Sequence, residues 1–158
     1  MRPVLLCILL TLGGPLVAQP SAQLPAANAA VLAYVNKHLG KRVGTGQCWD
    51  LAAAALQAAG ASWDGRYRCG RLVEPASEAV LPGDIIQFEG VLVEHTEGST
   101  RMQERMGHHT AIVYAVIAPG QVDLAHQNFG PSGKRVGRTT LAFAHIVKGH
   151  YLIYRPVE

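Results

Sequence analysis

The order of two periodic patterns along the chain constrains its fold more than any other feature of the sequence. Apolar residues recur at helical spacing up to Gly60, whereas the second half consists of short β-branched runs separated by turns. A chain in which helices come first and consecutive short strands follow is typical of an α+β domain. The sequence therefore predicts N-terminal helices packed on a C-terminal antiparallel β-sheet.

Two helices are predicted in the first part of the chain. The first extends from about Ala26 to Leu39 and is stopped by Gly40. The second begins at Cys48 and is closed by Gly60, and its apolar spacing places Cys48 on the inward-facing stripe. The intervening segment, KRVGTGQ, is a glycine-containing loop.

The predicted strands follow a long loop. The polar stretch EGSTRMQERMG, residues 97–107, is predicted to be a surface loop, which leaves His108 in that loop and puts His109 at the start of a strand. The long loop is expected over residues 61–80. The first long strand is expected over residues 85–88, with an extension over 91–94, and the others over 109–117, 122–129, 135–140 and 151–154.

The N-terminus has the layout of a secretory signal peptide. Arg2 is followed by the apolar run Val4–Leu12, then by Gly and Pro breakers and the small residue Ala18. The run is shorter than the about 20 apolar residues that span a bilayer, so no stable membrane anchor is predicted. We expect a periplasmic or secreted protein. The predicted division is a signal peptide over residues 1–18, a flexible lead over 19–27 and one folded domain over 28–158.

Composition excludes several classes of protein. With 49% hydrophobic residues in 158, the chain is long and apolar enough for one domain with a core, and it is neither disordered nor a coiled coil. The net charge of +3 comes from scattered Lys and Arg rather than from a basic face, so no nucleic acid partner is predicted. The seven histidines show no His-x-x-x-His spacing and the cysteines no Cys-x-x-Cys pair, so neither a metal nor another cofactor is expected.

Loss of the signal peptide leaves two cysteines, Cys48 and Cys69, in an oxidising compartment. They form one disulfide, or Cys48 is a free thiol with a chemical role. The position of Cys48 at a helix start favours the second interpretation, because the unpaired amides there stabilise a thiolate. The same amides are suited to hold the oxyanion of a tetrahedral intermediate. The spacing of the two cysteines leaves both interpretations open.

Histidines in the strands provide the groups that a thiol nucleophile needs. His109 opens one predicted strand, and the next presents His126 and Asn128 on one face with Gln127 opposite. If these strands are antiparallel neighbours beneath the Cys48 helix, a thiol, an imidazole and a polar third group come together. The predicted catalytic residues are therefore Cys48, His109, His126 and Asn128.

Four segments in this order, GQCWDLAAAAL, PGDIIQF, HHTAIV and AHQNFG, resemble the CHAP family (cysteine, histidine-dependent amidohydrolases/peptidases) and its NlpC-type relatives. The similarity covers roughly residues 43–129 and implies a papain-like fold. It implies that Cys48 is the nucleophile and His109 the general base. CHAP domains commonly have Glu-Gln-Asn where this chain has His126-Gln127-Asn128, and NlpC-type enzymes often orient the base with a histidine. The resemblance therefore assigns His126 as the orienting group, with Asn128 assisting or replacing it.

The resemblance also implies an activity. It predicts a hydrolase that cleaves amide bonds through a thioester, most directly in peptidoglycan, as a stem-peptide endopeptidase or an amidase. Two alternatives stay open: a binding module that keeps the fold without turnover, and an amidohydrolase acting on an amide outside the cell wall. An inhibitor or immunity protein is a further predicted partner.

Overall fold

The structure, a computed structural model, describes residues 23–158 and contains two α-helices and six β-strands in this range. The predicted signal peptide and residues 19–22 of the predicted lead lie outside the described residues. The elements in chain order are α1 (Ala26–His38), α2 (Cys48–Ala58), β1 (Arg71–Val73), β2 (Ile85–Glu97), β3 (Thr100–Ala118), β4 (Gln121–His126), β5 (Gly137–Ala142) and β6 (Ile146–Arg155).

The strands form one sheet in the order β1-β6-β2-β3-β4-β5, and every neighbouring pair is antiparallel. The predicted α+β class with an antiparallel sheet is therefore confirmed. Both helices also have the predicted bounds to within one residue at each end, because a clear helical period leads to a glycine in each case.

The sheet separates two apolar cores. One core lies between the sheet and the helices, where Leu51 and Leu56 of α2 pack with Ile85 of β2 and Ile112 of β3. The other lies on the opposite face, where Ile86 and Phe88 of β2 share a cluster with alternate residues of β3 and β4: Ala111, Val113, Val122 and Leu124. Because side chains alternate across a strand, adjacent residues of β2 and β3 belong to different cores.

The predicted surface loop over residues 97–107 is instead a strand. β3 begins at Thr100, and β2 and β3 pair from Ile85↔Ile112 out to Glu97↔Thr100, so His108 lies well inside β3. Residues 100–105 are all exposed and polar or long-chained. A strand segment with exposed residues on both faces shows no alternation of apolar and polar residues in its sequence, which is why the pattern predicts a loop here. The short edge strand β1 falls within the predicted long loop.

A buried polar cluster joins the first helix to the sheet at the Pro-Gly-Asp turn. The carboxylate of Asp84 accepts hydrogen bonds from Nε and Nη2 of Arg155 at 3.0 and 2.9 Å and from Nδ2 of Asn28 at 2.9 Å. Gly83 has φ +87°, and a Cβ there would lie 2.5 Å from the carbonyl oxygen of Asn28. The motif is thus explained by packing between α1, β2 and β6.

Within residues 23–158, neither helix has the length and apolar character required to cross a bilayer.

Candidate active site

Cys48 is the first residue of α2, and the loop that leads into it is held by hydrogen bonds to Asp50. The carboxylate of Asp50 accepts hydrogen bonds from the Thr45 amide at 2.7 Å, the Thr45 hydroxyl at 2.6 Å and the Gln47 amide at 3.1 Å. Partial burial opposes ionisation, but these bonds, that from the Thr45 hydroxyl foremost, lower the pKa of Asp50. Gly44, at φ +55°, leaves the space that the carboxyl group occupies, since a Cβ would approach it to 2.9 Å.

The side chains of two residues that follow β4, Gln127 and Asn128, form hydrogen bonds with the same loop. Oε1 of Gln127 accepts from the Val43 amide at 2.7 Å, and its Nε2 donates to the carbonyls of Val43 and Gln47 at 3.2 and 3.0 Å. Nδ2 of Asn128 donates to Oε1 of Gln47 at 2.9 Å. Gln127 is fully buried, so the backbone that precedes Cys48 is held by three bonds to one side chain. Sequence reasoning gave Gln127 no role.

The thiol of Cys48 opens onto a cavity. Cys48 is half-buried and contributes to the wall of a cavity of about 350 Å³ between α2, the loop at residues 64–68 and β3. Trp49 and Tyr67 form an aromatic wall, with ring centroids 6.1 Å apart. Two larger grooves, of about 470 and 480 Å³, lie elsewhere on the described residues, and neither is lined by a cysteine. The cavity is lined by Cys48, Trp49, Arg66, Tyr67, His108 and Thr110.

The imidazole that lines this cavity belongs to His108. Its Nδ1 lies 2.5 Å from Oε1 of Glu89, the residue directly opposite it on β2. The ring of Tyr67 meets the His108 ring edge-on, with centroids 4.9 Å apart. A thiol, an imidazole and a carboxylate are therefore arranged along one face of the sheet.

His109 and His126 lie on the other face. Nε2 of His109 and Nδ1 of His126 are 3.1 Å apart, and Nε2 of His126 is 3.1 Å from Oγ1 of Thr139. Both imidazoles contact Phe129, and His109 also stacks on Phe88. Burial lowers the pKa of His109 to about 3, aided by the neighbouring imidazoles, and lowers that of His126 to about 4. The pair is therefore neutral at physiological pH.

The structure brings some of the predicted residues together and separates others. His109 and His126 meet as the sequence predicts, but on the face opposite to α2, because it is His108, Thr110 and Ile112 of β3 that face the helix. His109 therefore does not lie under the Cys48 helix, as the sequence predicts that it should. The role of His109 as the general base stays a prediction.

Asn128 is also placed differently from the expectation. β4 ends at His126, and Asn128 has φ +56°, so the strand alternation that predicted a shared face with His126 stops before it. Its side chain turns to Gln47 instead. Glu89 and His108 were missed as site residues. The His-His dipeptide is a signal for His108, since two adjacent strand residues always put one imidazole on each face.

Both cysteines of the described residues are free thiols. Cys69 is fully buried in the helix-side core, where its sulfur accepts a hydrogen bond from Nε2 of Gln87 at 3.7 Å. Burial raises the pKa of the Cys69 thiol to about 11. The two thiols therefore differ in access as well as in surroundings.

Two solved structures are similar to this chain at 19% sequence identity: the crystal structure of Ly7917, with a TM-score of 0.47, and that of Ly7917 with the hydrolyzing product of MDP, with a TM-score of 0.49. The matches cover 80% and 82% of this chain but only 62% and 63% of Ly7917, so the chain spans less than two thirds of that protein. A search of curated proteins found no match.

A family model provides the assignment. The model of the AIM3/BBC1 cysteine proteinase-fold domain matches residues 23–158, which is the whole of the described structure. Its description agrees with the helix-borne cysteine and with the helices-on-sheet architecture. The chain therefore belongs to the AIM3/BBC1 cysteine proteinase-fold domain family.

Proposed function

We propose that this protein is an exported cysteine hydrolase that cleaves amide bonds, with Cys48 as its nucleophile. The observation that carries the proposal is the setting of that thiol: it is half-buried, begins a helix and lines a cavity that an imidazole also lines. In the first turn of α2 the Asp50 amide bonds to Gln47, and the preceding amides, which have no carbonyl partner within the helix, are suited to bind an oxyanion.

The reaction follows from these groups. The Cys48 thiolate attacks the amide carbonyl carbon, and the C–S bond forms as the carbonyl oxygen becomes an oxyanion facing the amides of α2. The C–N bond then breaks, and an imidazolium donates the proton that the departing amine requires. Water, deprotonated by the same imidazole, hydrolyses the thioester to a carboxylic acid and restores the thiol. The sequence assigns the imidazole to His109, with His126 or Asn128 as the orienting group.

We propose peptidoglycan as the substrate, cut at a stem-peptide bond or at the sugar–peptide amide. The support is the similarity of GQCWDLAAAAL, PGDIIQF, HHTAIV and AHQNFG to CHAP and NlpC-type enzymes. The predicted signal peptide agrees with it, because a periplasmic or secreted protein can reach the wall. The aromatic wall formed by Trp49 and Tyr67 offers apolar surface to a bound peptide or sugar.

One observation favours a second candidate function. The His109–His126 pair faces away from α2, so if His109 were the only available base, the thiol would lack a proton acceptor. The protein would then be a binding module that keeps the fold without turnover. This alternative predicts binding to the wall with no release of fragments.

Incubation of the protein with purified sacculi, followed by mass analysis of the soluble fraction, tests the proposal. We expect fragments with new amine or carboxyl ends from the wild type and none from Cys48→Ala, with Cys69→Ser as the matched cysteine control. Absence of fragments, together with wild-type binding to sacculi, would establish the binding module. Hydrolysis of another amide, with intact sacculi, would retain the enzyme and replace the substrate.

A further inference from the structure

The two adjacent histidines of β3 have opposite surroundings. His109 pairs across the sheet with Phe88, which belongs to the core away from the helices. His108 lines the Cys48 cavity together with Thr110, whose hydroxyl donates to Oε1 of Gln87 at 2.7 Å on the helix side. Because β3 alternates regularly here, only one of the two imidazoles lies on the side of the sheet that α2 covers, and that one is His108.

Glu89 fixes the orientation of His108. The two residues are register partners on β2 and β3, so the backbone ladder holds their side chains on one face. With the carboxylate accepting from Nδ1–H, the lone pair of the imidazole lies on Nε2. An acceptor at Nε2 with a carboxylate behind Nδ1 is the arrangement that thiol and hydroxyl nucleophiles require.

The access of the two imidazoles also differs. The side chain of His108 is 48% exposed and that of Glu89 43%, so substrate and solvent protons can reach both. His109 is 5% exposed and His126 1%, and the pair is closed off by Phe88, Phe129 and Thr139. A group that exchanges a proton with a leaving amine must be accessible from the cavity, and this holds for His108.

We propose that His108 is the proton shuttle for Cys48 and that Glu89 is the residue that positions it. The inference rests on the proposed function and changes its predicted base from His109 to His108. Cys48 Sγ transfers its proton to Nε2 of His108, which gives a thiolate and an imidazolium. The Glu89 carboxylate at Nδ1 stabilises the imidazolium, which then protonates the departing amine.

Other titratable groups lie near this pair. Arg66 and Tyr67 line the cavity with Cys48, and both are exposed. His150 is opposite Glu89 on β6, so the carboxylate has an imidazole on each side, but the described lining of the cavity contains only that of His108. His150 therefore provides a matched control: an exposed imidazole beside the same carboxylate and away from the thiol.

The test is the pH profile of Cys48 alkylation by iodoacetamide in a Cys69→Ser background, with mass mapping of the modified peptide. We expect His108→Gln to raise the midpoint of the profile by about one pH unit or more, because the thiolate loses its imidazolium. Glu89→Gln should raise it by a smaller amount and Glu89→Asp should restore part of the loss. His150→Gln should leave the profile at the wild-type position.

His109→Gln separates the two assignments. The inference predicts an unchanged midpoint in this variant, with its folding checked by thermal unfolding. A rise in His109→Gln with none in His108→Gln would overturn the inference and restore His109 as the base, and no rise in either would overturn it as well. Because alkylation needs no substrate, a His108-dependent thiol that releases nothing from any amide would refute the proposed function while supporting the proton transfer between Cys48 and His108.

Discussion

The two faces of the central sheet place the same residue type in different surroundings. On the helix side, His108 is half-exposed, paired with a carboxylate and adjacent to a cavity that contains a thiol. On the other side, His109 is buried against aromatic rings and shares a hydrogen bond with a second buried imidazole. The comparison shows that the surroundings of a histidine in a strand depend on the face of the sheet from which its side chain projects. Exposure and a carboxylate suit proton transfer, whereas burial without charge suits packing.

The largest expected effect is that of removing the thiol on the helix side. Cys48→Ala should lower amide hydrolysis at least ~10³-fold, since loss of a nucleophile leaves only oxyanion stabilisation and binding. The measurement is the initial rate of fragment release from sacculi at matched protein concentration. Cys69→Ser is the control and should retain the rate, because that thiol is fully buried in the core. Equal losses in both variants would contradict the assignment of Cys48.

The second prediction separates the faces by stability. His109→Ala should lower the free energy of unfolding by roughly 2–4 kcal/mol, because it opens a cavity beside Phe88 and leaves the buried His126 without its partner. His108→Ala, at a half-exposed position, should change it by about 0.5 kcal/mol or less. Urea unfolding of both variants measures the contrast. A stability loss confined to His108→Ala would reverse the description of the two faces.

The third prediction concerns the stability of the fold at acidic pH. Burial depresses the pKa of His109 and His126 below about 6.5, the value expected in the unfolded chain, so the unfolded state binds more protons. Their contribution is fully present above about pH 6.5 and is lost as the pH falls towards the folded-state values, by at most about 1.4 kcal/mol per pH unit for each histidine. Urea midpoints between about pH 7 and pH 4.5 measure it.

The double variant His109→Gln/His126→Gln is the control for the acid prediction. It should be less stable at neutral pH but should lose less stability on acidification than the wild type, because the titrating pair is gone. A parallel loss in the two proteins would assign the acid sensitivity to carboxylates such as Glu78, whose ion pairs with Arg71 and Arg155 lower its pKa.

The smallest expected effect lies at the cavity rim. Tyr67 is 52% exposed and touches His108 edge-on, so Tyr67→Ala should lower kcat/KM about 3- to 10-fold through weaker substrate contact and a less confined imidazole. Leu72→Ala, at another exposed apolar residue, is the matched control and should leave kcat/KM unchanged. A Tyr67 variant with the wild-type value would remove the aromatic wall from the account of binding.

The sequence predicts the helices and the sheet, but it does not predict which face of the sheet lies against the helices. The bounds of α1 and α2 and the antiparallel sheet follow from periodicity and from Gly40 and Gly60. Alternation also predicts that His108 and His109 point in opposite directions. It does not indicate which face the helices cover, because β3 carries apolar residues on both sides: Ala111 and Val113 on one, and Ile112 on the other.

The remaining differences also have local causes. The exposed start of β3 has no apolar alternation, so its pairing with β2, which places Glu89 opposite His108, is visible only in the fold. Asn128 follows the end of β4 in a left-handed conformation, which no alternation rule describes. Long-range register and local backbone conformation thus decided the parts of the site that the sequence pattern left open.

The most direct test of the account is an NMR titration of the imidazole groups, with histidine side-chain resonances assigned by single His→Gln variants, in the wild type and in Cys48→Ala. We predict that removal of the thiol shifts the titration curve of His108 and leaves His109 and His126 neutral and unchanged down to about pH 5. A titration curve of His109 that responds to Cys48→Ala, with that of His108 unaffected, would contradict the division of roles between the two faces of the sheet.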